Sequence, residues 1–85
     1  MKHVDVGSIV TLDIGGHGIL YTYEIVHEGQ ENPVLGKISP SSHLAYALMG
    51  RRTGERLVLE MPSEHRVTVV IQEIQNRSHH ESAIR

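Results

Sequence analysis

Histidine is the residue type in this sequence that most invites a metal or acid–base hypothesis, because there are seven of them in 85 residues. Five are scattered along the chain, and no two of those five have the i, i+4 spacing that places imidazoles on one face of a helix. The other two, His79 and His80, are adjacent near the carboxyl terminus, and neighbouring rings cannot complete a four-ligand site without further ligands. The sequence therefore predicts no metal site and no cofactor.

The contiguous residues Ser41, Ser42 and His43 are of the types that form a nucleophile and its base. Such a pair must face each other and needs a third orienting group, whereas adjacent residues at a helix start point in different directions. Capping of the helix explains the serines equally well. The glycine-rich stretch 15–18 leads into a strand, not into the helix amino terminus that a phosphate cradle requires, so it predicts a hairpin turn. No catalytic residue is predicted, and the protein is not expected to be an enzyme.

The composition indicates a small aliphatic domain without disulfides. The chain is 39% hydrophobic and contains no Cys, Trp or Phe, so we expect a core of Val, Ile and Leu with Tyr21, Tyr23 and Tyr46 as its only large rings. An unstapled core of this kind yields about 3–5 kcal/mol of net stability. The lack of cysteine fits a reducing cytoplasm, and no apolar run approaches the roughly 18 residues of a membrane helix. We expect a cytoplasmic protein without membrane contact.

The charged residues are distributed less evenly than the net charge of −2 suggests. A negative total provides no cationic field for nucleic acid, so we expect DNA binding to be weak and any nucleic-acid contact to be indirect. Acidic residues precede the predicted helix and basic residues flank it, namely Glu24, Glu28, Glu31, Lys37, Arg51, Arg52 and Arg56. Either these are solvated loops, or the basic residues form a face for an acidic protein partner.

One helix and several strands are predicted to position these residues. Ser41 or Ser42 can cap a short helix with Leu44, Ala47 and Leu48 on its buried face, and Gly50 suits the left-handed residue that ends a helix. Alternation of apolar residues predicts strands over 10–14, 19–27, 57–61 and 67–74, with a short strand at 37–39 and a long polar loop at 27–36. The expected fold is α+β, an antiparallel sheet of four to five strands packed around one short helix. We expect residues 1–6 to be a flexible leading segment, residues 7–75 the domain and residues 76–85 a polar tail.

Five stretches in order and at familiar spacing resemble a known family: residues 7–12 (GSIVTL), 23–26 (YEIV), 36–39 (GKIS), 44–51 (LAYALMGR) and 53–55 (TGE). The sequence is similar to the carboxy-terminal domain of the bacterial transcript-cleavage factors GreA and GreB, which also occurs in the related Rnk protein. The resemblance covers nearly the whole chain. It implies an FKBP-like fold, which agrees with the α+β architecture predicted from the residue pattern.

The resemblance also implies a division of function. In the family, an amino-terminal helical hairpin carries acidic residues to the polymerase active centre, and the carboxy-terminal domain docks at the rim of the secondary channel of RNA polymerase. Residues 1–6 cannot form a coiled coil, so we expect this chain not to stimulate transcript cleavage by itself. By match to the family, the docking residues are Glu28, Glu31, Asn32, Ser39, Ser42, His43, Tyr46 and Arg51. The chain departs from the family pattern in having Ser42-His43 where Ser-Pro is usual, and Tyr46 where a basic residue is common.

Two alternatives remain open at the level of the sequence. The first is a peptidyl-prolyl isomerase of the FKBP type, although that activity needs an apolar pocket lined by several aromatic rings. The second is an interaction domain with another protein partner, which includes a weak homodimer formed through an exposed sheet edge.

Overall fold

The structure is a computed structural model that describes residues 2–60, 63 and 65–76. In chain order it contains β1 Ser8–Ile14, β2 Leu20–Ile25, a 3-10 turn Pro33–Leu35, β3 Lys37–Ile38, α1 His43–Leu48, β4 Arg56–Glu60 and β5 Arg66–Asn76. The α+β prediction is confirmed. Asn76 was predicted to begin the polar tail but is the last residue of β5, and the rest of that tail lies outside the described residues.

The strands form one five-stranded sheet in the order β3-β2-β1-β5-β4. β1 pairs antiparallel with β2 and β5, and β4 pairs antiparallel with β5. The antiparallel prediction is wrong at one edge, since β3 runs parallel to β2, with Glu24 beside Lys37 and Ile25 beside Ile38. The connection between these strands doubles back along β2, so β3 begins level with Glu24 and runs in the same direction. The sheet is therefore mixed.

A bulge in the central pair explains a change of phase in the last strand. The buried residues of β5 are two positions apart up to Ile71, but the next one is Ile74, which has the opposite parity. The β1–β5 register shifts between Thr11 and Leu12, so that Gln72 has no residue opposite it. Ile71 and Ile74 consequently both face the core, at 0% and 2% exposure.

The core is aliphatic, as the composition predicts, but it uses fewer aromatic rings than expected. Val10, Leu12 and Val69 are fully buried on the inner face of the sheet. Of the three tyrosines, Tyr23 packs against this cluster, whereas Tyr21 is 42% and Tyr46 76% exposed. The expectation that all three rings belong to the core is therefore wrong. Tyr21 is the second residue of β2, close to the hairpin, and Tyr46 lies on the outer face of the helix.

The helix is short and its amino-terminal cap is the predicted one. The Ser42 hydroxyl accepts a hydrogen bond from the Ala45 amide at 3.2 Å. Ala45 and Leu48 are fully buried, while Leu44 and Ala47 are half-buried, so the buried face is centred one residue away from the prediction. A six-residue helix is unstable alone in water, and the contact of this face with the sheet stabilises it.

The leading segment packs more closely than predicted. Val4 is 2% exposed and belongs to the core cluster. Its amide donates to the Arg51 carbonyl at 2.9 Å, and its carbonyl accepts from the Gly50 amide at 2.9 Å. The expectation of a loose segment up to residue 6 is corrected accordingly, because the residues that follow the helix provide main-chain partners and an apolar site for Val4.

Candidate docking surface

The residues predicted to dock a partner come from two segments: the loop of residues 27–36, and residues 39–45, which lead into the helix and form its first turn. We call these segments together the docking surface. Of the eight predicted residues, seven belong to it or lie next to it on the helix: Glu28, Glu31, Asn32, Ser39, Ser42, His43 and Tyr46. Arg51 follows the opposite end of the helix.

Main-chain hydrogen bonds, not apolar burial, order the loop. The Asn32 amide donates to the Lys37 carbonyl and the Lys37 amide donates to the Asn32 carbonyl, both at 3.0 Å. The Leu35 amide donates to the same Asn32 carbonyl at 2.9 Å and closes the 3-10 turn. Val34, in the middle of that turn, is 92% exposed. The Asn32 backbone is therefore the point at which the loop is fastened to the sheet.

Gly36 ends the turn in a left-handed conformation, with φ +73°. A Cβ atom at this position would lie 3.0 Å from the Thr22 carbonyl oxygen of β2. Gly50 has a similar φ of +80°, but a Cβ there would meet nothing within 4 Å. The two glycines thus share the backbone requirement and differ in the space around them.

We expect Gly36→Ala to destabilise the domain more than Gly50→Ala. A left-handed alanine costs about 1–2 kcal/mol at either position, and displacement of a packed backbone at residue 36 adds about 1 kcal/mol or more. Urea unfolding of both variants measures the difference. Equal losses of stability would show that the contact with Thr22 is relieved without cost.

The Glu31 carboxylate connects the loop to the segment that leads into the helix. Its Oε1 atom accepts a hydrogen bond from the Gly29 amide at 2.8 Å. The Ser39 hydroxyl lowers the pKa of Glu31 most, and the Glu31 and Gly29 amides lower it further. Ser39 itself is 1% exposed, and its Oγ lies 2.9 Å from the Ser41 Oγ. A buried hydroxyl therefore holds an exposed carboxylate in its charged form.

We expect Glu31 to titrate below the ordinary range of a glutamate, and Ser39→Ala to raise its pKa. A lowered pKa in the folded state contributes stability above the unfolded-state pKa, and that stability is lost as the pH falls through the folded-state value. Carbon-13 NMR titration of the Glu31 carboxyl measures the shift. An unchanged Glu31 titration in the Ser39→Ala variant would contradict the proposed role of this hydroxyl.

The start of the helix is attached to the far edge of the sheet by His43. Its Nε2 atom lies 2.9 Å from the Glu60 carbonyl oxygen at the end of β4, a distance at which the protonated ring nitrogen donates to that oxygen. Ser42 is occupied as the cap, with its amide also donating to the Ser39 carbonyl at 2.9 Å. The Ser42 hydroxyl oxygen and the His43 ring therefore both support the start of the helix.

Arg51 is separated from the other predicted residues and is already engaged. Its Nε donates to the Ala47 carbonyl at 2.7 Å, and its Nη1 lies 3.3 Å from the Glu55 carboxylate. A cation at this position complements the carboxyl end of the helix. The structure thus places Arg51 as a support for the end of the helix and does not bring it together with Glu28 and Glu31.

An apolar cleft beside the helix start was not anticipated from the sequence. It has a volume of about 380 Å³ and is lined by Ile14, Tyr23, His43, Leu44, Leu59, Val67 and Val69. The sequence assigned these apolar residues to strand faces or to the helix. A helix this short was expected to leave part of the sheet uncovered, but the residues that would line the opening were not predicted. The cleft arises because the helix is too short to cover the whole inner face of a sheet built on a seven-residue β1 and an eleven-residue β5.

The described part of the chain has neither a cluster of metal-ligating side chains nor a membrane-spanning helix. Among residues 2–60, 63 and 65–76, no three His, Asp or Glu side chains are grouped so that they could hold a metal ion. The pair His79-His80 lies outside these residues. Over the same residues, no helix has the length and hydropathy to cross a bilayer.

Comparison with known proteins identifies one family. The profile of the family described as "Transcription elongation factor, GreA/GreB, C-term" matches residues 1–76. GreA of Thermomicrobium roseum is 42% identical over 60 residues, which are 71% of this chain and 37% of that protein. GreA of Oenococcus oeni is 40% identical over 50 residues, or 59% of this chain and 31% of that protein. The chain thus spans about a third of the length of these relatives.

Solved structures agree on the fold. GreA factor homolog 1 (Gfh1) of Thermus thermophilus superimposes with a TM-score of 0.74 and 26% identity, over 88% of this chain and 49% of that one. A GreA/GreB elongation factor from Nitrosomonas europaea superimposes with a TM-score of 0.72 and 21% identity, over 85% of this chain and 59% of that one. At this identity the second likeness supports the fold alone.

Proposed function

The chain belongs to the GreA/GreB carboxy-terminal domain family, and from that premise we propose that it is a module that binds RNA polymerase and modulates transcription elongation. The binding site on the polymerase would be the rim of the secondary channel, and the domain would act in the cytoplasm, where its partner is. In this proposal the domain binds the polymerase and catalyses no reaction itself. Contact with nucleic acid would be indirect, through the polymerase.

The observation that carries the proposal is the negative charge of an exposed, well-ordered loop. Glu28 and Glu31 are both exposed, and residues 27–36 contain neither Lys nor Arg. The hydrogen bonds from Gly29 and the nearby Ser39 hydroxyl hold Glu31 in place and in its charged form. An exposed pair of carboxylates, of which Glu31 is held in place, favours a basic surface on the partner.

The helix contributes the apolar part of the proposed interface. Tyr46 is 76% exposed on the outer face of the helix, and an aromatic ring with a polar tip is a frequent anchor in protein interfaces. The cleft beside Leu44 and His43 can receive an apolar side chain of the partner. We propose that Glu28, Glu31, Asn32, His43 and Tyr46 contact the polymerase.

Three predicted contact residues have other roles in this proposal. Ser39 is buried and Ser42 caps the helix, so both position the docking surface without touching the partner. Arg51 is bound to Ala47 and Glu55 beyond the other end of the helix. These assignments predict that Arg51→Ala affects the stability of the domain more than its binding.

Binding to purified core RNA polymerase tests the proposal directly. The unmutated domain is expected to bind with a dissociation constant in the micromolar range, on the order of 10 µM or tighter. When these 85 residues are added by themselves, they are further expected to compete with a full-length GreA factor and to lower transcript cleavage as their concentration rises. Absence of binding at about 100 µM would sink the proposal, and binding without any effect on cleavage would reject the competitive role.

The apolar cleft is also where the alternative isomerase activity would need its site. Among the residues that line the cleft, Tyr23 is the only Phe, Tyr or Trp. The other ring, the imidazole of His43, is hydrogen-bonded to the Glu60 carbonyl. A prolyl isomerase site needs several aromatic rings around the bound proline. We therefore expect no turnover in a protease-coupled isomerase assay. Measurable turnover would favour an isomerase over a polymerase-binding module.

A further inference from the structure

The outer edge of β4 is an unpaired main-chain edge. β4 is an edge strand of the sheet, and only β5 pairs with it among the described residues. The Gly15 amide donates to the Thr68 carbonyl at 2.8 Å, so the main chain of Thr68 faces β1. Val58 is opposite Thr68 in the antiparallel register, so its own amide and carbonyl point away from β5. By the same alternation, Arg56 and Glu60 also direct their main-chain groups outward.

The side chains of these three residues form a self-complementary series. β4 reads Arg56-Leu57-Val58-Leu59-Glu60, with Arg56, Val58 and Glu60 exposed and the two leucines buried. Val58 is 58% exposed at the centre, with a cation two residues before it and an anion two residues after it. In an antiparallel pair centred on Val58, residue 56 of each copy lies opposite residue 60 of the other.

We propose that β4 pairs with β4 of a second copy of this chain, antiparallel and centred on Val58. The two-fold axis passes between the two Val58 residues, which exchange both main-chain hydrogen bonds. Arg56 of each copy then faces Glu60 of the other, so that two cross-strand ion pairs form at once. The interface is isologous, because the same five residues of each copy meet.

The neighbours of the edge are compatible with this pairing. The Glu60 carbonyl accepts one bond from His43, and a carbonyl oxygen has a second lone pair for the partner strand. The Glu60 carboxylate lies 3.3 Å from Arg66 on the same outer face, and it can accept a second cation on its other side. Both ion-pair partners are exposed and the paired segment is short, so the dimer is weak and is weakened further by salt.

Sedimentation of the unmutated domain tests the association itself. Between about 10 µM and about 1 mM, the weight-average mass is expected to rise toward twice that of the monomer. Over the same range, exchange of the Val58 amide with solvent is expected to slow, because only the dimer protects it. A monomer throughout this range, or a dimer in which Val58 exchange is unchanged, would overturn the proposal.

Charge reversal tests the register. Arg56→Glu and Glu60→Arg each place like charges opposite one another twice, so each variant is expected to associate at least about tenfold more weakly than the unmutated domain. The double variant R56E/E60R restores both pairs and is expected to recover the original association. An equimolar mixture of the two single variants is expected to form a heterodimer, since both of its ion pairs are then complementary.

Each of these comparisons can reject the pairing. Single variants that associate as strongly as the unmutated domain would place the interface elsewhere, for example at the β2–β3 edge. A mixture that does not associate would exclude the register centred on Val58. Far-UV circular dichroism checks that the variants fold, as expected for substitutions at exposed positions.

Discussion

Leu48→Ala is expected to leave the domain largely unfolded at room temperature. Leu48 is fully buried where the helix meets the sheet, and it belongs to the core cluster with Val4 and Leu12. Truncation of a buried leucine costs about 2–5 kcal/mol, because transfer energy is lost and a cavity remains. A small aliphatic core without disulfides provides only about 3–5 kcal/mol in total. The loss is therefore comparable to the whole stability of the domain.

Urea or thermal unfolding followed by circular dichroism measures this effect. Leu35→Ala is the matched control, since it removes the same atoms from a side chain that is 64% exposed in the 3-10 turn. We expect the control to change stability by less than about 0.5–1 kcal/mol. Similar losses in the two variants would contradict the placement of Leu48 in the core.

The double variant Glu28→Lys/Glu31→Lys is expected to lower affinity for core RNA polymerase by about 10²-fold. Both carboxylates are exposed in the loop of the docking surface. Reversal of their charge turns attraction toward a basic partner surface into repulsion, and opposed like charges cost several kcal/mol at an interface. The loop keeps its main-chain bonds at Asn32 and Lys37, so the fold is expected to persist.

Fluorescence anisotropy or a pull-down with purified polymerase measures this change. Glu73→Lys is the matched control, because Glu73 is exposed on β5, opposite Thr11 and outside the docking surface. The control changes the net charge in the same direction and is expected to bind within about twofold of the unmutated domain. A Glu28/Glu31 variant that binds as tightly as the control would move the interface away from this loop.

Local patterns in the sequence were sufficient to predict most of the secondary structure. Ser42 was among the residues predicted to cap the helix, and Gly50 follows its end with φ +80°. The alternation in β1, and in β5 as far as Ile71, assigns their inner faces, since successive residues of a strand point to opposite sides. Such features depend on neighbours within a few residues, and those neighbours are visible in the sequence.

The docking residues were predicted by family resemblance, and their grouping could not be derived from their spacing. Glu31 and Ser39 are eight positions apart in the sequence, yet the Ser39 hydroxyl affects the Glu31 carboxylate because the 3-10 turn folds the loop back. Arg51 is also eight positions from His43 but lies past the other end of the helix. Two pairs with the same separation in sequence are therefore treated differently by the fold: one is brought together and the other is kept apart.

The sequence by itself determined an aliphatic α+β domain with one capped helix and an acidic loop before it. Only the tertiary structure decided that β3 is parallel to β2, that Val4 enters the core, and that an apolar cleft remains beside the helix. The physical reason is the range of the interactions. Capping and strand alternation act between near neighbours, whereas strand direction, burial of Val4 and the shape of the cleft depend on contacts between distant parts of the chain.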